Sequence, residues 1–187
     1  MTSHLRPAFV LLVLTTLILG LAFPLGFVGV GAVVAPFQAG GSLIRQNGVV
    51  IGSALLGQTF TKPWYFQPRP SAAGKGYDAT SSGGSNLGPT SAALATALKA
   101  RVATAGPAPI PADSVTASAS GLDPDISPAN AARQVARVAA ARHLPVAQVQ
   151  SLLDQHVVGR LLGFIGEPHV NVLGLNIALD AASPPPT

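Results

Sequence analysis

From Pro7 to Ile44 the chain carries no charged side chain, a run of 38 residues between Arg6 and Arg45. Its first stretch, Ala8 to Phe27 (AFVLLVLTTLILGLAFPLGF), is 20 residues long. At 1.5 Å per residue such a helix covers about 30 Å, the thickness of a bilayer's hydrocarbon core. Thr15 and Thr16 fit, because their hydroxyls can bond back to the preceding turn. A helix ending before Pro24 would be too short to span, so a kinked helix continuing to Val34 is expected. That gives a short N-terminus over residues 1–7 and a membrane span over 8–34. The rival is a cleaved secretory signal with a V-x-A site at Val30 to Ala32. It fits poorly, since signal h-regions run about 7–15 residues.

After the span the pattern changes. Gly48 to Leu56 (GVVIGSALL) is β-branched and apolar and reads as a strand. Five of the six aromatics after Gly41 (Phe60, Trp64, Tyr65, Phe66, Tyr77) fall within 18 residues. A cluster of that kind forms a small core. Trp64, Tyr65 and Arg69 also suit a partner contact, as Trp, Tyr and Arg are common interface anchors. Gly74 to Pro89 is a polar loop without periodicity.

Thr90 or Ser91 can cap a helix carrying Leu94, Leu98 and Val102 on one stripe, ended by Gly106-Pro107. Ser114–Ser120 (SVTASAS) predicts an edge strand. Ser127 as cap and Pro128 at the first position start a helix to about His143. Leu144-Pro145 starts another, with Val146, Val149, Leu153 and Val157 facing inward. Leu173, Leu175, Ile177 and Leu179 alternate with Gly174, Asn176 and Ala178, which predicts a half-buried strand. The fold class expected is α+β: a single N-terminal transmembrane helix, then one compact extracytoplasmic α+β domain over 35–187 with a loose tail at 183–187.

Charge adds orientation. Arg6, His4 and the start amine lie before the span and nothing charged follows until Arg45, so the positive-inside rule puts the N-terminus in the cytoplasm. The other 10 Lys/Arg are scattered among 7 Asp/Glu. They form no stripe of the kind that tracks nucleic-acid phosphates, so no nucleic-acid partner is expected. Membrane lipid is expected around the span.

Composition removes chemistry. The 187 residues are 48% hydrophobic and 10% charged, with no cysteine; mean hydropathy is +0.45. Without cysteine there is no disulfide, thiolate nucleophile or iron–sulfur cluster. The four histidines lack ligand spacing, so no metal site is expected; His143 and His156 read as helix-surface residues. Glu167 is the one Glu, and Asp123 and Asp125 flank Pro124 in a turn where Asp bonds its own backbone. No GxSxG marks a serine nucleophile, and no catalytic residues are assigned. Ser82, Gly83, Gly84, Ser85 and Asn86 could form a nest of backbone N–H groups, a candidate anion or nucleotide loop. Gly26, Gly29 and Gly31 permit close approach of another membrane helix. An anchored hydrolase using a serine of the 81–91 loop and an anchored solute-binding module are the alternatives.

Several stretches are distinctive in their order. After the span come Arg69-Pro70-Ser71-Ala72 and Ser82 to Thr90 (SGGSNLGPT). Val115-Thr116-Ala117-Ser118 and Gly121-Leu122-Asp123-Pro124 with Ile126-Ser127-Pro128-Ala129 follow. Gly166-Glu167-Pro168 then precedes Val170-Asn171-Val172-Leu173. Together they resemble KdpC, the C subunit of the bacterial Kdp potassium-transporting P-type ATPase, over nearly the whole chain. Three positions depart from the family's pattern: Asp125 where a His is usual, His169 where an Arg is common, and Ser91-Ala92 where Asn-Pro is expected.

The resemblance implies a non-catalytic subunit of a potassium uptake complex in the bacterial inner membrane. Its partners would be a potassium pore subunit and a P-type ATPase subunit. It also implies a share in raising the ATPase subunit's affinity for ATP. No cofactor of its own is implied; ATP would come through the ATPase subunit. A domain outside the cell cannot touch cytosolic ATP, so assembly is favoured over literal nucleotide binding.

Overall fold

The computed structural model describes residues 4–186; Met1–Ser3 and Thr187, the ends of the expected N-terminus and tail, lie outside the described residues. The chain divides into two units, Met1–Ile51 and Gly52–Thr187.

The first unit is dominated by a helical run from Leu5 to Val34, among the described residues the one helix long and apolar enough to cross a membrane. It consists of α1 (Leu5–Leu17), a π-helical turn at Ile18–Ala22 and α2 (Phe23–Val34). The π turn lies where proline chemistry requires it. In a regular helix the Pro24 ring would strike the carbonyl four residues back, and Pro24 has no N–H to donate. Widening the turn relieves both problems, and the Phe23 N–H reaches five residues back to Ile18 O. The expected passage through Pro24 is thus made by a π turn. The Thr15 hydroxyl bonds Leu11 O at 2.8 Å, as predicted. A short α3 (Pro36–Ala39) leads to β1 (Leu43–Gln46), which pairs with β2 (Val49–Ser53). Asn47 (φ 52°) and Gly48 (φ 79°) make the connection, both left-handed as a tight hairpin needs.

In the second unit the core is helical. It brings together α5 (Pro128–Arg142), α6 (Val146–Gln155) and α7 (Val172–Ala182). Ala131, Val135 and Val138 of α5 meet Val149 and Leu153 of α6 and Leu175 and Leu179 of α7 in one cluster, with Phe66 fully enclosed. These residues recur three or four apart, so each helix presents one stripe inward. The ends follow the sequence closely. The Ser127 hydroxyl accepts from Asn130 N–H at 3.1 Å, Pro128 takes the first turn, and His143 closes α5 in a left-handed conformation. Val149 and Leu153 are buried as predicted, and Val157, though beyond the end of α6, packs half-buried against the core; Val146 is exposed.

The α4 helix (Ala92–Ala105) starts at the Ser91 cap and stops at Gly106, as read from the sequence, but of its expected stripe Leu94 and Leu98 are only half-buried and Val102 is exposed. None of its residues is fully buried; it is tied down by Arg101, which donates to Val115 O at 2.9 Å. A two-residue ladder joins β3 (Asp125–Ile126) to β4 (Val170–Asn171), antiparallel, with Asp125 opposite Asn171.

Two expected strands are not strands. Residues 173–179 lie in α7. Asn176, outward-facing in the strand pattern, is instead buried and bonds the Phe66 backbone in both directions, at 2.8 Å and 2.9 Å. With Asn176 inside, Val172, Leu175, Asn176 and Leu179 have helical spacing, and the Asn171 side chain caps the Gly174 N–H at 2.9 Å. Ser114–Ser120 is a 3₁₀ turn (Ala112–Ser114) followed by bends. The Ser114 and Thr116 hydroxyls bond Pro111 O and Ala112 O, the local competition that diverts Ser and Thr from a ladder.

Candidate functional site

The loops that link these elements meet in a junction built on one arginine and one glycine. Arg69 forms an ion pair with Asp123 at 2.8 Å and donates to the Thr116 carbonyl and hydroxyl. Two residues on, the Ser71 hydroxyl donates to Gly121 O at 2.6 Å and accepts from Tyr77 N–H at 2.8 Å. The Tyr77 hydroxyl returns to Arg69 O at 2.7 Å, and Gly83 N–H bonds Ser120 O at 2.8 Å. Burial, with the Asp123 charge beside it, pushes the Tyr77 phenol up to about 12. Gly121 (φ 66°) fits because a Cβ there would stand 2.6 Å from both Ala73 N and Gly83 O.

Beside the junction lies a recess of about 320 Å³ lined by carboxylates, among them Asp113, Asp123, Asp125 and Glu167. Each has a partner. Asp113 accepts from the Ser127 amide and hydroxyl and from Asn130. Asp123 holds Arg69 and also accepts from its neighbour's Asp125 N–H, the backbone role predicted for a turn Asp. Glu167 pairs with Arg160 at 2.6 Å. Asp125 accepts from Asn171 at 3.0 Å, with His169 Nε2 3.8 Å away.

Burial raises the Asp125 carboxyl above its ordinary value of 3.8, outweighing the Asn171 bond and the His169 charge. Folding therefore favours the protonated form. The stability from this group is fully present below 3.8 and is lost as pH rises through the folded value. Asp125→Asn, which keeps the acceptor for Asn171, should raise the thermal midpoint at pH 7 and leave it unchanged near pH 3.5. A lower midpoint at pH 7 would contradict this account.

The family model described as "KdpC: K+-transporting ATPase, c chain" matches residues 5–181. The chain belongs to the KdpC family. It is 58% identical to a potassium-transporting ATPase KdpC subunit of Caulobacter vibrioides, over 99% of this chain and 96% of the relative. It is 54% identical to that of Allorhizobium ampelinum, over 97% and 98%, and 56% identical to that of Gemmatimonas aurantiaca, over 98% and 95%. The resemblance read from the ordered stretches is thus borne out.

On the KdpC fold those stretches, distant in sequence, come together. Arg69 and Ser71, Gly83, and Gly121 with Asp123 form the junction. Ser127 and Asn171 cap the helices on either side of the β3–β4 ladder. Of the loop Ser82–Asn86, the Ser82 hydroxyl and the Gly83 amide both bond Ser120 O. Gly84 lies against the Ala119 backbone, and Ser85 and Asn86 are exposed. Trp64 and Tyr65 are half-buried: the Trp64 carbonyl accepts from Arg142, and the Tyr65 hydroxyl bonds Asp180 at 2.9 Å. A Cβ added at Gly26 or Gly29 would meet no other side chain within 4 Å, and one at Gly31 would meet only the Ala39 methyl, at 3.7 Å.

Sequence reasoning missed two features of this KdpC chain. One is Arg142, which is fully enclosed; no spacing flagged it. The other is the segment Val158–Gly166, whose Leu161, Leu162 and Phe164 are all exposed. Its signal was present: Phe164 is the one aromatic after Gly41 outside the cluster, in an apolar run bracketed by glycines.

Proposed function

We propose that this chain is a non-catalytic accessory subunit of an ATP-driven potassium uptake complex, holding its potassium pore and P-type ATPase subunits together. One observation carries the reading: an unburied 30-residue apolar helix is joined to a domain whose loop carboxylates are engaged with its own arginines, amides and hydroxyls. Groups committed in this way maintain a shape and leave the surface to partners. The names of the relatives, each a potassium-transporting ATPase KdpC subunit, support partners within one transporter.

In this reading the helix crosses the bacterial inner membrane with its N-terminus in the cytoplasm and the domain outside. Gly26, Gly29 and Gly31 allow neighbouring helices to approach closely, and Trp64, Tyr65 and Arg69 lie towards the partners. Any gain in the ATPase subunit's affinity for ATP passes through contacts between subunits.

Deletion of the gene in a strain with no other high-affinity uptake route should abolish growth at micromolar potassium, and a plasmid copy should restore it. Normal growth of the deletion strain would overturn the proposal.

A further inference from the structure

We propose that the apolar tip of the hairpin between Val158 and His169 docks into an apolar, uncharged recess on a partner subunit of the transporter. This rests on the accessory-subunit reading above. The hairpin is ordered. Val158 and His169 exchange both backbone bonds, at 2.8 Å and 3.0 Å, and above them Leu161 and Ile165 exchange theirs at 2.9 Å each. Yet its side chains point away from the domain: Leu161 is 66% exposed, Leu162 77%, Phe164 73% and Ile165 47%. Leu162 lies at φ 54°, a left-handed conformation that is unfavourable for a non-glycine residue. A turn selected only to close the chain would carry Gly or Asn there. Leu162 instead adds a large apolar side chain at the point of greatest exposure.

Charge and area select the occupant. The charged residues of the hairpin, Arg160 and Glu167, pair with each other at 2.6 Å, so the tip is neutral. Segments that bind anionic bilayer surfaces add unpaired basic residues, and this tip has none. The four side chains expose on the order of 500 Å², the scale of a functional patch on a monomer. A two-fold contact between copies through it would bury about 1,000 Å² in total, at the floor for a specific interface and well below about 1,600 Å². A subunit held in the same complex needs less, because tethering supplies a high effective concentration. A neutral apolar plug of this size therefore fits a neutral apolar socket on a co-assembled subunit.

The chain has no cysteine, so L162C labelled with a benzophenone maleimide reports on the tip alone. In membranes containing the co-expressed pore and ATPase subunits, irradiation should give an adduct with one of them. Adducts with lipid alone or with a second copy of this chain overturn the docking proposal, as does no adduct in a complex that still co-purifies; the accessory-subunit reading survives each. Failure of the unlabelled wild-type chain to co-purify with either subunit overturns both. In a second arm, Leu162→Ser combined with Phe164→Ser should leave the thermal midpoint unchanged, since both side chains are in solvent. It should weaken retention of the partner about tenfold or more. Unchanged retention overturns the proposal.

Discussion

Replacing Arg142 by Ala should lower the stability of the Gly52–Thr187 unit by about 3–5 kcal/mol, the range for breaking a buried ion pair from one side. The Arg142 side chain has no exposure to solvent. Its Nε donates to Trp64 O at 2.8 Å, one Nη to Ser183 O at 2.6 Å and the other to Asp180 at 2.5 Å. The guanidinium also stacks 5.1 Å over the Tyr65 ring. One planar fork thus ties the aromatic loop, the end of α5 and the end of α7 together. Alanine removes the fork and leaves the Trp64 and Ser183 carbonyls and one Asp180 oxygen without their donor, the other Asp180 oxygen keeping only the Tyr65 hydroxyl. At roughly 4 °C per kcal/mol for a unit of this size, the midpoint should fall by about 10–20 °C in the detergent-solubilised full chain. Arg142→Lys keeps the charge but has no fork to serve three acceptors in different directions, so it should recover only part of the loss. Arg142→Ala and Asp180→Ala together should cost less than the sum of the two, because they share one interaction. A loss below about 1 kcal/mol for Arg142→Ala would show that the tie is not made in solution.

The contrast between Arg142 and the elements around it explains what the sequence reveals. The start of α5 is legible because Ser127 and Pro128 encode it in two adjacent positions, and the cap is a contact between near neighbours. The membrane span was legible for the same reason of locality: hydropathy and length are read along one segment. The α7 helix was misread because its period was judged by residue type. A buried Asn176 counts as polar in the pattern although it serves as a core hydrogen-bonding group for Phe66, 110 residues away. The junction poses the harder problem. Arg69 and Asp123 are 54 residues apart, and loops bonded side chain to backbone have no periodicity to betray them. What made that region visible was the ordered set of short stretches shared with the KdpC family. Exposure at the Val158–His169 hairpin was not legible either, because an apolar run by itself does not say which way its side chains face.

The junction itself should depend strongly on Gly121. A Cβ at Gly121 would lie 2.6 Å from Ala73 N and from Gly83 O and 2.7 Å from the Ala73 Cβ, and the residue holds φ at 66°. Two of those neighbours are backbone atoms, which cannot swing aside as a side-chain tip would. In Gly121→Ala, left-handed strain of about 1–2 kcal/mol adds to a collision. The chain can relieve that collision only by separating the 71–73 and 82–84 segments from residues 120–121. Doing so sacrifices the bonds from the Ser71 hydroxyl to Gly121 O and from Gly83 N–H to Ser120 O. A total loss of about 3 kcal/mol or more is expected, in the class of strain combined with overpacking. Faster hydrogen exchange at the Gly83 amide should accompany it. Two controls separate the causes. Gly76 has φ 108° but open space around it, so Gly76→Ala carries strain alone and should cost about 1 kcal/mol. Gly88 has open space and no positive φ, so Gly88→Ala should stay within about 0.5 kcal/mol of wild type. The order Gly88, Gly76, Gly121 in thermal melts is the test. Equal losses at Gly76 and Gly121 would mean that residues 73, 83 and 121 do not pack against one another, and the junction would have to be redrawn.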